Sequence, residues 1–485
     1  VPLQTINTAD HTLRRGELRE KLVRINYAWI PGSLWLWTIT GAALVRYAQG
    51  LGMPASYFGI LAALPFIGNI MQLPASYFLE QHSLRQKTTL YGIFLSRICW
   101  ILIGLVPWIL PKEMTWPAML ILVGVSWLTL HFGVPGWISW MADLMPSRIR
   151  GRFIGKRRLL SQIVGVASSL MVGEMLDLVE RANNEPQILL KVLSAVFVIA
   201  GLCGVLEAIG YLRQFTPDRP KPITQTSWLK SLHKPLTTRG FRPYILFNVV
   251  HTLGFASVSQ YIWLYVFDRL EFSNRGANFL LVTIPLLLGS VGFVYWGRMI
   301  DRVGKKPVLL VTGIIATLTT IGWLFCDRTG YGLGYALVII SVITWPGVDL
   351  SNFNILIGIA GNPKDGSVFV AVNSVSVAIA GAISGVSAAI IAWQFKDFTF
   401  TIPQISDQPY DYIAVLLILS TALRLVSFVF VFFIEEPKAS PTRDAIRFMT
   451  TSIYSNIRQA ALMPTRAVGS LSKRTYILTQ KHDKP

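Results

Sequence analysis

The sequence predicts an all-α polytopic membrane protein with twelve transmembrane helices in two pseudo-symmetric six-helix bundles. Composition is the first reason: of 485 residues, 52% are hydrophobic and only 14% charged, and the mean hydropathy is +0.50. Apolar stretches of roughly 20 residues, enough to cross a hydrocarbon core of about 30 Å as a helix, recur along the chain, and a helix satisfies its own backbone in lipid. Charge placement is the second. On these spans the net charge of +19 resolves into 34 of the 44 Lys and Arg on one side of the membrane and 8 on the other, the bias of cytoplasmic loops. The lipid bilayer is therefore an expected partner, and nucleic acid is not. Repetition is the third. An offset of 221 positions pairs Gly68 with Gly289, Glu80 with Asp301, Arg85 with Lys306 and Gly92 with Gly313, as parallel duplicated halves would.

Residues 1–25 carry Arg14, Arg15, Arg19, Lys21 and Arg24 without an apolar signal core, and read as a cytoplasmic segment. The first bundle, residues 26–213, holds spans 26–48, 54–79, 88–110, 117–144, 159–178 and 189–212. A cytoplasmic linker, 214–242, follows. The second bundle, 243–434, holds spans 243–266, 277–299, 307–326, 332–360, 367–393 and 412–434. Pro135-Gly136 and Pro346-Gly347 each predict a helix opened at depth, a feature tolerated mainly beside a cavity. Gly165, Ser168, Ser169 and Gly173 in the fifth span, with Gly381, Ser384 and Gly385 in the eleventh, permit close backbone approach and predict a seam. Residues 435–485 form a basic cytoplasmic tail in which Ile446, Met449, Ile453 and Ile457 are spaced for a helix lying on the inner leaflet.

The loop Gly297-Arg298-Met299-Ile300-Asp301-Arg302-Val303-Gly304-Lys305-Lys306 sets an acid and four cations in a tight turn between the eighth and ninth spans. Asp301 can meet the positive N-terminus of a neighbouring helix, while Arg302, Lys305 and Lys306 can reach carboxylates or the last carbonyls of others, so the loop reads as a separable latch. Its upstream copy around Glu80 and Arg85 is blurred, with Ser76 and Ser83 in place of glycines and Leu84 in place of a cation. Asp143, Arg150 and Arg152 belong to a dense charged turn between the fourth and fifth spans, a second latch.

With the twelve spans and the repeat, this loop resembles the signature G-x-L-x-D-R-x-G-R-K of the major facilitator superfamily, and the resemblance extends over about residues 25–435. It implies two bundles that rock about a central site, with the first, fourth, seventh and tenth spans lining the cavity. It also implies gating contacts at the charged turns, with Asp301 meeting the start of the eleventh span just after Asp365.

Polar residues at mid-membrane depth are the candidates for a substrate site, because an ionised side chain there costs at least about 2.5 kcal/mol unless paired or hydrated. Asp349 stands near the middle of the tenth span and can bind substrate or carry a coupling proton. Helical spacing places Ser341, Trp345 and Asn352 on about the same face. The seventh span offers Asn248, His251, Thr252, Phe255 and Ser259, the fourth Trp127 and His131, and the first Trp35, Thr38 and Thr40. Aromatic faces beside amides, hydroxyls and one carboxylate suit a small polar organic solute, a sugar-like one best. Arg97 and Arg424, in the third and twelfth spans, are expected to pair within or between helices, whereas Glu207, Glu174 and Asp177 read as shallow and hydrated.

The chain has no Walker loop, HExxH or GxSxG, so an enzyme is not expected and a gradient must supply the energy. Cys99, Cys203 and Cys326 have neither disulfide nor metal-ligand spacing; no cofactor and no metal are expected. The fourth- and fifth-span signatures of many proton-driven drug antiporters are missing. A secondary active transporter, proton coupling left open, is the favoured reading. A carrier-like fold retained as scaffold, sensor or companion subunit is the alternative. A monomer in a bacterial cytoplasmic membrane with both termini inside is expected, with association into a larger membrane complex left open.

Overall fold

The computed structural model describes residues 6–8, 11–13, 15–82, 84–145, 147–182, 185–212, 233–328, 331–360, 366–402 and 406–434. Residues 214–232 of the linker and the basic tail lie outside the described residues. Eleven described helices are long and apolar enough to cross a membrane, and a bent pair near the N-terminus makes a twelfth span. In chain order they are α1 (Glu20–Ile39 with Ala42–Gly50), α2 (Tyr57–Leu79), α3 (Arg85–Ile109), α4 (Lys112–Leu144), α5 (Ile149–Ala182), α6 (Pro186–Leu212), α7 (Phe241–Arg269), α8 (Asn274–Val303), α9 (Lys305–Phe325), α10 (Tyr331–Ala360), α11 (Val368–Gln394) and α12 (Tyr412–Val431). A short antiparallel hairpin, Phe400–Ile402 with Ser406–Tyr410, joins α11 to α12.

The internal repeat is visible as packing. In the first half α3 packs on α4 and α6, α1 on α5 and α6, and α2 on α4. In the second half the same pairs recur as α9 on α10 and α12, α7 on α11 and α12, and α8 on α10. The two most extensive contacts between the halves, α2 with α11 and α5 with α8, are themselves repeat-related. Each half also ties the end of its last helix to the start of its third in the same way. Gln86 donates to the carbonyl of Tyr211 (3.2 Å), and Lys306 donates to that of Phe432 (2.8 Å); the two acceptors are 221 positions apart and the donors 220.

Small residues let the seam close. A Cβ on Gly59 of α2 would lie 2.4 Å from the Gly385 carbonyl of α11, and one on Gly381 would lie 2.2 Å from the Phe66 ring. A Cβ on Gly165 of α5 would lie 2.8 Å from the Leu286 side chain of α8, and Ser169 meets Thr283 at 3.1 Å.

Three expectations about helix continuity are corrected. The α5 helix begins at Ser147, so the charged stretch 150–158 is helical and not a turn; an apolar run sets a minimum for a span, and charged residues beyond it extend the helix wherever water reaches them. The helices of α4 and α10 run unbroken through Pro135 and Pro346. A proline removes only one helical hydrogen bond, here that to the carbonyl of Val342, and a neighbouring helix braces the same turn: Trp296 of α8 donates to the adjacent carbonyl of Ile343 (2.7 Å). The real break falls in α1, where the axis bends by 51° around Thr40 and Gly41. There the N–H of Ala42 starts a new helix and is accepted by Asn278 Oδ1 of α8 (2.9 Å), a partner from the other half.

Candidate functional site

A cavity of about 680 Å³ lies between the halves. From the first half α1 contributes Trp37 and Thr40, and α5 contributes Arg158, Ser161 and Gln162. From the second half come Phe255 and Ser259 of α7, Gly289 and Phe293 of α8, Thr320 of α9, Ser341, Trp345 and Asp349 of α10, and Arg424 of α12. Trp345 stacks on Phe255 with ring centroids 5.0 Å apart, and Trp37 Nε1 donates to Ser161 Oγ (3.2 Å). The walls thus combine flat aromatic faces with three ionisable groups.

These groups are held differently. Asp349 is exposed to the cavity and feels the charge of Arg158 across it. Arg158 sits with its guanidinium 4.8 Å from the Phe293 ring. Arg424 is buried, donating from Nη1 to Thr320 Oγ1 (2.6 Å) and from Nη2 to the Ala316 carbonyl (3.4 Å), while its Nε finds no partner among the described residues. Its guanidinium lies 5.8 Å from the Trp345 ring and 6.0 Å from that of Phe255.

Of the residues singled out from sequence, Trp345 and Asp349 line this cavity, together with Phe255, Ser259, Ser341 and Thr40. Trp35 and Thr38 do not. Both are buried in the first half, Trp35 beneath the Arg97 guanidinium at 3.3 Å, and the wall of α1 is instead Trp37 and Thr40. Each residue turns a helix by about 100°, so a small error in facing exchanges core for cavity. His131 also points elsewhere, stacking on Trp127 and meeting Gln72 of α2 at 3.1 Å. The α4 helix, expected in the lining, packs on α2 and α3, while α5, α8, α9 and α12 take part.

Asn248 and Asn352 form a reciprocal amide pair between α7 and α10 (2.7 and 3.3 Å). His251 meets Ser427 of α12 at 3.1 Å and packs against Phe247 and Phe428, and Thr252 is half-buried outside the lining. Arg158 was missed because the fifth span was started at residue 159, and continuing its helical pattern toward the N-terminus would have found it; Gln162 lay inside that span, but nothing in its periodicity marked its face as turned to a cavity.

At the basic side, Gly304 adopts φ +97 between α8 and α9, a backbone turn that favours glycine, and Lys306 caps α12 by donating to the carbonyls of Phe432 and Ile434. Asp301 and Arg302 are exposed, Lys305 lies beside Gly358, and Gly297 packs near Leu350. Asp365 and the side chain of Glu80 lie outside the described residues. Arg85 forms an ion pair with Asp143 between α3 and α4, and Arg150 donates to the carbonyls of Ala142 and Met145. Arg152 is exposed.

The opposite side is sealed by bonds that cross between the halves, and here the reading of Asp177 as hydrated is corrected. Asp177, 3% exposed, accepts from the backbone N–H groups of Asn274 (2.7 Å) and Arg275 (3.1 Å) at the start of α8, where a helix N-terminus favours negative charge. Glu174 pairs with Arg275 (2.9 Å), and Arg46 donates to Asn274 (2.9 Å). Near the ends of α2 and α7, Tyr261 Oη accepts from the N–H of Gly59 and donates to the carbonyl of Ser56, both at 3.1 Å. The set closes at mid-depth with Gln162 on Ser290 (3.1 Å).

Two repeat-related bundles, a seam of small residues and a mid-membrane cavity between them define the architecture of a solute transporter. The sequence matches the Major Facilitator Superfamily over residues 32–385, and the chain belongs to that family. Among solved structures it is similar to a mutant of the nucleoside transporter NupG (12% identity, TM-score 0.65), covering 86% of this chain and 100% of that one. It is also similar to a POT family transporter in complex with 5-aminolevulinic acid (13%, 0.64; 87% and 98%) and to a D-xylose-proton symporter (14%, 0.57; 88% and 97%). At these identities the likeness is one of fold. No curated protein matches the sequence significantly.

Proposed function

We propose that this protein is a secondary active transporter that carries a small polar organic solute by alternating access of the cavity between its two halves. The observation that carries the reading is the cavity itself. Asp349 and two guanidiniums stand at the seam of a membrane bundle, among aromatic faces that would stack on the apolar face of a ring. A scaffold has no need of charge held there. Proteins of similar fold supply a precedent for nucleosides, 5-aminolevulinic acid and D-xylose, and a sugar-like ring remains within the range these walls suit.

The sealed side would be the outer one, since the basic loops lie at the other end and cytoplasmic loops collect Lys and Arg. On that orientation the conformation described faces inward, both termini are cytoplasmic, and a bacterial inner membrane is the proposed location. Lys306 and the Asp301 loop would serve the inner gate, and Asp177 with Glu174 the outer one. Asp349 would carry the coupling proton.

The test is uptake into proteoliposomes from a panel of sugars, sugar acids, nucleosides and amino acids, with and without an imposed proton gradient. Accumulation of one class, lost in Asp349→Asn only when the gradient drives it, supports proton-coupled transport. Retention of no panel member above empty vesicles sinks the transport reading.

A further inference from the structure

The mid-membrane arginines of the two halves are not equally compensated. Arg97 of α3 is 2% exposed and donates to Glu207 of α6 at 2.8 Å, so its charge is neutralised within the first half. Arg424 of α12 is 4% exposed and meets a hydroxyl and a carbonyl of α9, and among the described residues no carboxylate pairs with it. A guanidinium has five N–H donors in a planar fork that matches a carboxylate or a phosphate, and here Nε is free of any partner beside a cavity. The other cation in the wall, Arg158, is exposed to the cavity from the opposite half. Two cations and one acid leave the wall with one uncompensated positive charge when Asp349 is ionised.

We propose that Arg424 and Arg158 form an anion subsite, so that the transported solute bears one carboxylate or phosphate group on a ring or other apolar body. The anion would meet a guanidinium from each half, while Trp345 and Phe255 stack on the body. One consequence is counter-intuitive. Asp349 shares the wall with these cations and repels the same anion, so removing its charge should strengthen binding. The inference rests on the carrier reading only for the word transported; the subsite itself is a statement about binding.

The experiment compares matched probes on the purified full-length protein by calorimetry: D-glucuronate and D-glucose 6-phosphate against D-glucose, and 4-hydroxybenzoate against 4-hydroxybenzyl alcohol. At least one anion should bind tenfold or more tightly than its neutral counterpart. That preference should fall at least tenfold in Arg424→Gln and in Arg158→Gln, recover in part in Arg424→Lys, and rise in Asp349→Asn. Arg158 faces the cavity, so its variant remains informative if Arg424→Gln does not fold, and melting temperatures of all variants report folding. Equal binding of the neutral partners, a preference that survives both glutamine variants, or binding of none of the anions overturns the subsite. Uptake into proteoliposomes separates the two readings. An anion that binds through the arginines yet is not carried overturns transport alone, and a neutral solute carried without anion preference overturns the subsite alone.

Discussion

The two halves share a packing plan but treat a buried arginine in opposite ways. In the first half Arg97 is sealed: Glu207 accepts from it, the Trp35 ring covers it, and two glycines make room for the pair. A Cβ on Gly204 would lie 2.3 Å from Arg97 Cδ, and one on Gly32 would lie 2.3 Å from a Glu207 carboxylate oxygen. In the second half a glycine again makes room, Gly254 beside Arg424, where a Cβ would lie 2.7 Å from Cγ, yet among the described residues no acid answers the charge. The positions 221 after Arg97 and Glu207 are Leu318 and Phe428, and the position 221 before Arg424 is Cys203, so each buried arginine belongs to its own half and is not a copy of the other. A buried ion pair is structural, while a buried cation facing a cavity is available to a ligand.

That contrast can be broken from its stronger end. Glu207→Ala should cost about 3–5 kcal/mol, because it leaves a buried guanidinium without its partner, and the double variant Arg97→Leu with Glu207→Leu should recover most of the loss. Thermal melting in detergent reads both. Equal melting of the single and double variants would show that the pair does not seal the first half. Gly32→Ala should cost about 1–3 kcal/mol by pushing the Glu207 carboxylate off Arg97, and a melting temperature unchanged from wild type would contradict the tight fit.

Asp177→Asn sharpens a different contrast, between the sealed and the basic sides. Losing the charge on its hydrogen bonds to the start of α8 should cost about 1–2 kcal/mol of the sealed conformation. A cysteine pair at Ser169 and Thr283, whose oxygens lie 3.1 Å apart, should then cross-link more slowly than in the otherwise native protein. An unchanged rate would remove Asp177 from the gate. The smallest expected effect on stability belongs to Arg424→Leu. With no ion pair to lose, it should leave the melting free energy within about 1 kcal/mol, and a loss as large as that of Glu207→Ala would make Arg424 a structural residue.

Much of the fold was legible because lipid makes it so. Any segment that crosses must be a helix and must be apolar over its whole thickness, so the spans follow from the chain itself. The repeat was legible from Gly68 and Gly289, Gly92 and Gly313; Gly68, Gly92 and Gly313 sit at helix contacts with no room for a Cβ, while Gly289 faces the cavity. The site was less legible. Trp35 and Trp37 lie two positions apart in an equally apolar run, and no periodicity distinguishes a face turned to a neighbouring helix from one turned to a cavity when both are hydrophobic. Glu207 read as a shallow, hydrated acid because its partner lies 110 positions away. Asp177 was set aside for the same reason, its partners being the first N–H groups of a helix in the other half.

The sequence by itself determined the number of crossings and the side on which the basic loops lie, because these depend on hydropathy and charge summed over whole segments. Only the tertiary structure decided which charges are neutralised. It turned α1 to bury Trp35 and present Trp37, bent that helix at Thr40 and Gly41 so that Asn278 could cap its second part, brought Glu207 to Arg97, and left Arg424 facing the cavity. Pairing depends on the rotation of each helix about its axis, and that angle is set by its packing neighbours and not by the helix alone.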